Sequence, residues 1–165
     1  KDGQYMSIDP WDDPEDDRLT IDCSIDFCES SIIGKQSFSW EFSIDNYQQL
    51  YKARTFCQLK TVQYMHSKGL ALGGSLENAI VADGDKVLNP GGLRYKDEFV
   101  RHKILDCLGD ISLLGGRLVG SLKVHKGGHT LHSKFIKEIW QSKHLVSRDV
   151  RDKVFNVCPT VSGVI

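Results

Sequence analysis

The sequence predicts an α+β domain in which a mainly antiparallel sheet packs on helices in two layers. Two early segments alternate apolar and polar residues with the period of a half-buried strand, and a turn containing Gly34 separates them. Two later segments carry the 3.6-residue period of helices that bury one face. Strands and helices mixed in this way, without regular βαβ alternation, argue against a doubly wound parallel sheet.

Taken in order, the acidic stretch "DPWDDPEDDR" (Asp9–Arg18) has two prolines and no apolar periodicity, so it reads as a loop or a loosely ordered arm. "LTIDCSIDF" puts Leu19, Ile21, Cys23, Ile25 and Phe27 on one face of a strand, and "FSWEF" repeats the pattern with Phe38, Trp40 and Phe42. The spacing of Tyr47, Leu50, Tyr51 and Arg54 predicts a helix over 45–54, and a second short helix over 58–68 is closed by Gly69. "ARTF" falls in the break between them. Asp83-Gly84 signals a hairpin between two strands, and Asn89-Pro90-Gly91-Gly92 a tight turn. A long helix spans 97–114, and a strand runs from Arg117 to about Val124. After "HKGGH" a helix over 130–141 uses Leu131, Phe135, Ile136, Ile139 and Trp140. Beyond Ser142 the pattern is weak.

Composition excludes some partner classes. The net charge is −1, but residues 1–18 hold seven acidic residues against two basic ones, which leaves the body mildly positive. That excess suits an anionic ligand and is too small and scattered for a nucleic-acid stripe, so no nucleic acid is expected as a partner. There is no run of about 18 apolar residues for a transmembrane segment and no basic-then-apolar leader, so a cytoplasmic location is expected. The five cysteines are odd in number and lack C-x-x-C spacing, which argues against a disulfide framework and a thiolate zinc site. Most of them read as small buried hydrophobes.

The long helix carries more polar chemistry than a core helix needs. Val100, Ile104, Leu108 and Ile111 form its core face, while His102, Asp106 and Asp110 lie on a second stripe flanked by Phe99 and Leu113. Ionisable groups on a partly buried stripe require partners. His102 and Asp106 are one turn apart, about 6 Å between Cβ atoms, and can converge on one ion. Asp110, a turn further on, can orient another histidine by accepting its N–H. His129 follows Gly127-Gly128 at a helix N-terminus, where the dipole lowers an imidazole's proton affinity. Each of these signals has a plain alternative: an exposed helix face with a local hydrogen bond, or a capping or surface histidine. His125 and His132 read as closer still to the plain alternative.

Together, "ARTF", "GLALGGSLENAIV", "VLNPGGLRYKDEFVRHKILDCLGDISLLG" and "KGGHTL" resemble, in order and spacing, the second domain of the bacterial zinc amidase family of UDP-3-O-acyl-N-acetylglucosamine deacetylases (LpxC). The resemblance covers 18–141, with an acidic arm at 1–17 and a tail at 142–165. It implies that His102 and Asp106 are Zn2+ ligands, that His129 faces the developing oxyanion and the leaving amine, and that Asp110 is its hydrogen-bond partner. It implies that Thr55 supports the oxyanion and that Phe56 lies in the substrate cleft. Lys103 and Lys126 match positive residues near the nucleotide diphosphate of the UDP-sugar substrate. A small βαβ insert at about 57–75 matches the passage for the substrate's acyl chain, with Leu59, Val62, Leu70 and Leu72 lining or supporting it. The implied activity is removal of an N-acetyl group, committing a precursor to lipid A synthesis.

The chain departs from the family pattern where the third zinc ligand, a histidine, and the neighbouring glutamate base should be: no segment matches them. His66 lies in the insert helix and has no adjacent glutamate. Since the chain starts about where the family's second domain starts, the resemblance implies a carboxy-terminal half needing the first domain in cis or in trans. A non-catalytic sugar-nucleotide or acyl-chain binding module, or one subunit of a split enzyme, is the alternative. Smaller departures are Ala71 where cysteine is common, Gly127 where serine is common and His132 where asparagine is common.

Overall fold

The computed structural model describes residues 3–13 and 15–142, together with the backbone of two short strands at 154–155 and 160–162. In chain order the elements are β1 (Tyr5–Asp9), β2 (Leu19–Phe27), β3 (Gly34–Glu41), a single-turn 3-10 helix (Asp45–Gln49), β4 (Thr55–Gln58) and α1 (Leu59–Ser67). There follow β5 (Ala79–Asp83), β6 (Lys86–Val87), α2 (Glu98–Ile111), β7 (Arg117–Leu118), β8 (Gly120–His125), α3 (His129–Gln141), β9 (Val154–Phe155) and β10 (Thr160–Ser162).

The main sheet has the order β10-β1-β8-β2-β3, antiparallel except for the β2–β8 pairing. Its inner face supplies Met6, Ile8, Ile21, Cys23, Ile25, Leu122 and Val124, all nearly solvent-free. The helix layer closes on it with Phe99, Val100, Ile104 and Cys107 from α2 and Phe135 and Ile139 from α3. Removing these apolar surfaces from water is the dominant force holding sheet to helices. Beside this sandwich β4, α1 and β5 form a βαβ unit, β4 and β5 parallel, with β6 closing a hairpin through Gly84 in the left-handed region. The α+β class, the two layers and the βαβ insert are as the sequence indicates. No helix among the described residues is long and apolar enough to cross a membrane.

Several elements differ from expectation. Residues 5–9, assigned to the acidic arm, form β1 between β8 and β10; only three consecutive residues are buried there, too few for a period to register. The helix over 45–54 is reduced to one 3-10 turn. Tyr47 and Tyr51 stack on each other at 4.9 Å and stay about half exposed, so Leu50 is the one large apolar side chain buried in this stretch and no apolar face supports a longer helix. "ARTF" is not a break: Thr55 begins β4, paired with Ala79. The strand expected over 117–124 is interrupted before Gly120, whose φ of +135° only glycine adopts readily and whose Cβ would lie 2.6 Å from the Asp9 carbonyl oxygen. Cys23 and Cys107 are core residues, with burial pushing the Cys23 thiol up to about 12, whereas Cys28 is exposed and Cys57 half-buried. Apart from β9 and β10, the tail and Cys158 lie outside the described residues.

Candidate active site

The α2 helix is anchored at its N-terminus by a buried ion pair. Glu98 Oε1 accepts from Arg54 Nε at 2.9 Å and from the Arg54 backbone N–H at 3.0 Å, while Arg54 Nη2 donates to the Gly92 carbonyl at 2.8 Å. Burial would raise the Glu98 carboxyl, but the Arg54 and Arg94 hydrogen bonds outweigh it and hold the group below its ordinary value. This pair ties the start of β4, and so Thr55 and Phe56, to the first turn of α2.

With Phe99, Val100, Ile104 and Cys107 turned to the sheet, the i, i+4, i+8 stripe of His102, Asp106 and Asp110 is left on the other face, each about four-fifths covered. His102 Nδ1 lies 3.3 Å from the Ala53 carbonyl oxygen, an acceptor, so the ring donates there. A neutral ring then points a bare Nε2 at Asp106 Oδ1, 3.2 Å away. Two acceptors face each other stably only with a cation or a second imidazole proton between them. Lys103 Nζ holds the other Asp106 oxygen at 2.7 Å. Burial alone would raise the Asp106 carboxyl, but the bonds from His102 and Lys103 dominate and keep it well below the usual carboxylate range.

A second cluster centres on Asp110 Oδ2, which accepts from His129 Nδ1 at 2.7 Å and from His132 Nδ1 at 2.6 Å. Both clusters have donors a metal could use, and only the second brings three together, within 4.8 Å of one another, among the described residues. The distances separate them: ligands 2.0–2.2 Å from a tetrahedral zinc lie about 3.4 Å apart, close to the His102–Asp106 spacing. Contacts of 2.6–2.7 Å are instead hydrogen bonds. The 3.2 Å between His102 Nε2 and Asp106 Oδ1 is compatible with a hydrogen bond or with a shared ion, and this pair offers two donor atoms.

A cleft of about 700 Å³ runs past this helix, and its lining includes Lys103, Lys126, His129 and Lys134. Lys126 has φ +52° and pairs with Asp26 Oδ2 at 3.2 Å, so its ammonium is fixed at the cleft wall. A separate apolar cavity of about 660 Å³ lies in the βαβ unit, lined in part by Thr55, Phe56, Leu59, Val62 and His66. Phe56, in the cavity lining, sets its ring edge-on to Phe27 of the cleft wall at 5.5 Å, to Phe99 at 5.0 Å and to His102 at 6.4 Å. Leu70 and Leu72 do not join the cavity lining; they are 57% and 75% exposed beyond the end of α1.

Sequence reasoning missed three contributors. His132, read as close to a plain surface histidine, is fully buried and bonded to Asp110; its position three residues after His129, on the same helical face, was the available signal. Asp26 and the Arg54–Glu98 pair have no local signature, because their partners are distant in sequence.

The fold and site define an α+β chain whose helix layer presents a His–Asp pair and a carboxylate-held imidazole beside a lysine-lined cleft. Residues 2–141 match the family model described as "LpxC: UDP-3-O-acyl N-acetylglycosamine deacetylase". Proteins named UDP-3-O-acyl-N-acetylglucosamine deacetylase are 49% identical over 132 residues in Campylobacter fetus subsp. fetus, 48% over 137 in Campylobacter lari and 51% over 124 in Nautilia profundicola. These alignments cover 79%, 82% and 74% of this chain but only 43%, 45% and 42% of the relatives, so the chain spans less than half their length. The chain belongs to the LpxC family of deacetylases.

Proposed function

We propose that this chain supplies part of the active site of a zinc-dependent deacetylase that hydrolyses the N-acetyl group of UDP-3-O-acyl-N-acetylglucosamine, the committed step of lipid A synthesis. The observation that carries it is the His102–Asp106 pair, 3.2 Å apart, with the other imidazole nitrogen committed to the Ala53 carbonyl. A metal-binding histidine is ordinarily oriented by such a backbone carbonyl. Bound zinc supplies a Lewis acid that polarises an amide carbonyl and acidifies water to a pKa of about 7.

The chain's own groups cover the remaining demands. Asp110 holds His129 through Nδ1, so the exposed ring offers Nε2 to the oxyanion or the departing amine. Thr55 offers its hydroxyl to the same oxyanion. Lys103 and Lys126 face an anionic diphosphate across the cleft, and Phe56, Leu59 and Val62 give the acyl chain an apolar wall, with Leu70 and Leu72 flanking it. A third zinc ligand and a glutamate base belong to residues outside this chain, joined in cis or in trans, in line with its coverage of under half of its relatives. The free thiols of Cys23, Cys28, Cys57 and Cys107 suit the reducing cytoplasm.

Calorimetric titration of zinc into the chain tests this reading. Wild type should bind one ion and His102→Ala should lose binding at least tenfold. Equal binding by the two would overturn the assignment of His102 and Asp106.

A further inference from the structure

Asp110 is served by two imidazoles, and only one of them faces the cleft. His129 is 70% exposed at its side chain and His132 fully buried, yet both Nδ1 atoms reach Oδ2. An ionised carboxylate only accepts, so both nitrogens are donors. The rings cross at 86° with centroids 6.2 Å apart, and the two donors therefore approach that oxygen from different directions. Among the described residues His132 Nε2 has no hydrogen-bond partner. It faces Gly127, where a Cβ would stand 2.8 Å from it and 2.4 Å from Val124 Cγ1. The missing side chain at 127 is what makes room for the buried ring. Burial pushes the His132 imidazole below its ordinary value against the pull of Asp110, which favours the neutral ring with its one proton on Nδ1.

We propose that His132 is a positioning residue: it pins the Asp110 carboxylate from the buried side, so that Oδ2 stays aimed at His129 and the exposed imidazole keeps one tautomer and one orientation toward the cleft. The His129–Asp110 pair needs this help because it lies at the protein surface, where an ion pair or hydrogen bond between mobile side chains contributes little by itself. A second donor on the same oxygen, held rigidly by the core, removes the carboxylate's freedom to rotate. The functional consequence rests on the reading of His129 as the reacting imidazole; the geometric claim does not.

Long-range 1H–15N spectra of the imidazoles in the metal-free chain test it. In wild type, His132 should be the Nδ1–H tautomer and His129 should show a low-field Nδ1–H proton. His132→Leu, which lacks a donor, should lose that His129 signal, and His132→Asn, whose amide N–H stands where Nδ1–H stood, should keep it. In the complete enzyme kcat should fall about tenfold or more for the leucine variant, with KM little changed, and recover in the asparagine variant. An Nε2–H tautomer of His132 in wild type overturns the proposal, and so does an unchanged His129 signal in folded His132→Leu. If the leucine variant does not fold, the wild-type tautomer decides. The expected spectra with unchanged kcat would support the positioning role and sink the reading of His129 as the reacting group.

Discussion

Asp106 and Asp110 are the same residue type one turn apart on α2, and their neighbours give them different work. Asp106 faces a lysine and one imidazole nitrogen, Asp110 two imidazole nitrogens. The first pairs each carboxylate oxygen with a different side chain; the second gathers two imidazole nitrogens on one carboxylate oxygen. Single glycines are as specific. Gly120 accepts a φ of +135° and brings its Cα close to the Asp9 carbonyl oxygen, so Gly120→Ala should combine backbone strain with a steric clash. A loss of roughly 2–3 kcal/mol is expected, read as a lower midpoint in urea with an unchanged slope.

At the scale of elements, the Arg54–Glu98 pair joins β4 to α2 and so holds Phe56 against His102. Replacing Glu98 by Gln leaves the Arg54 guanidinium buried without its counter-charge, and a loss of roughly 3–5 kcal/mol is expected in thermal or chemical melts. The acid response has a definite sign. Glu98 is held below its ordinary value of 4.5 in the folded chain, so its stabilisation is complete above that pH and is lost as pH falls through the lower, folded value. Melts followed from pH 6 down to pH 3 should therefore decline less steeply in Glu98→Gln than in wild type.

The same scale shows what the sequence could and could not disclose. Elements α2 and α3 were legible because each buries a long periodic stripe, and the His102–Asp106–Asp110 stripe was legible as its polar complement. β1 was hidden because its burial is set by strands on both sides, not by alternation within "YMSID". The 45–54 segment misled because Tyr47 and Tyr51 have helical spacing, yet they stack outside the core. In the site, Arg54 and Glu98 are 44 residues apart and no local pattern links them.

For the whole molecule, one hydrophobic core joins the main sheet to the helix layer, and β1, between β10 and β8, sends Met6 and Ile8 into it. Ile8→Ala should cost about 2–5 kcal/mol, because a fully buried side chain in a closely packed core leaves a cavity when truncated. Equilibrium unfolding followed by circular dichroism checks this, and a loss under 1 kcal/mol would mean that β1 is peripheral.

The placement of β1 also sets an order of events during synthesis. Tyr5 of β1 pairs with His125 on one side and with Ser162 on the other, so both partners lie far downstream of it. Strand β1 must wait, unpaired and apolar on one face, until β8 has been translated. Closing so long a loop is entropically slow, so the nascent chain is expected to gain protease resistance only after β8 has left the exit tunnel.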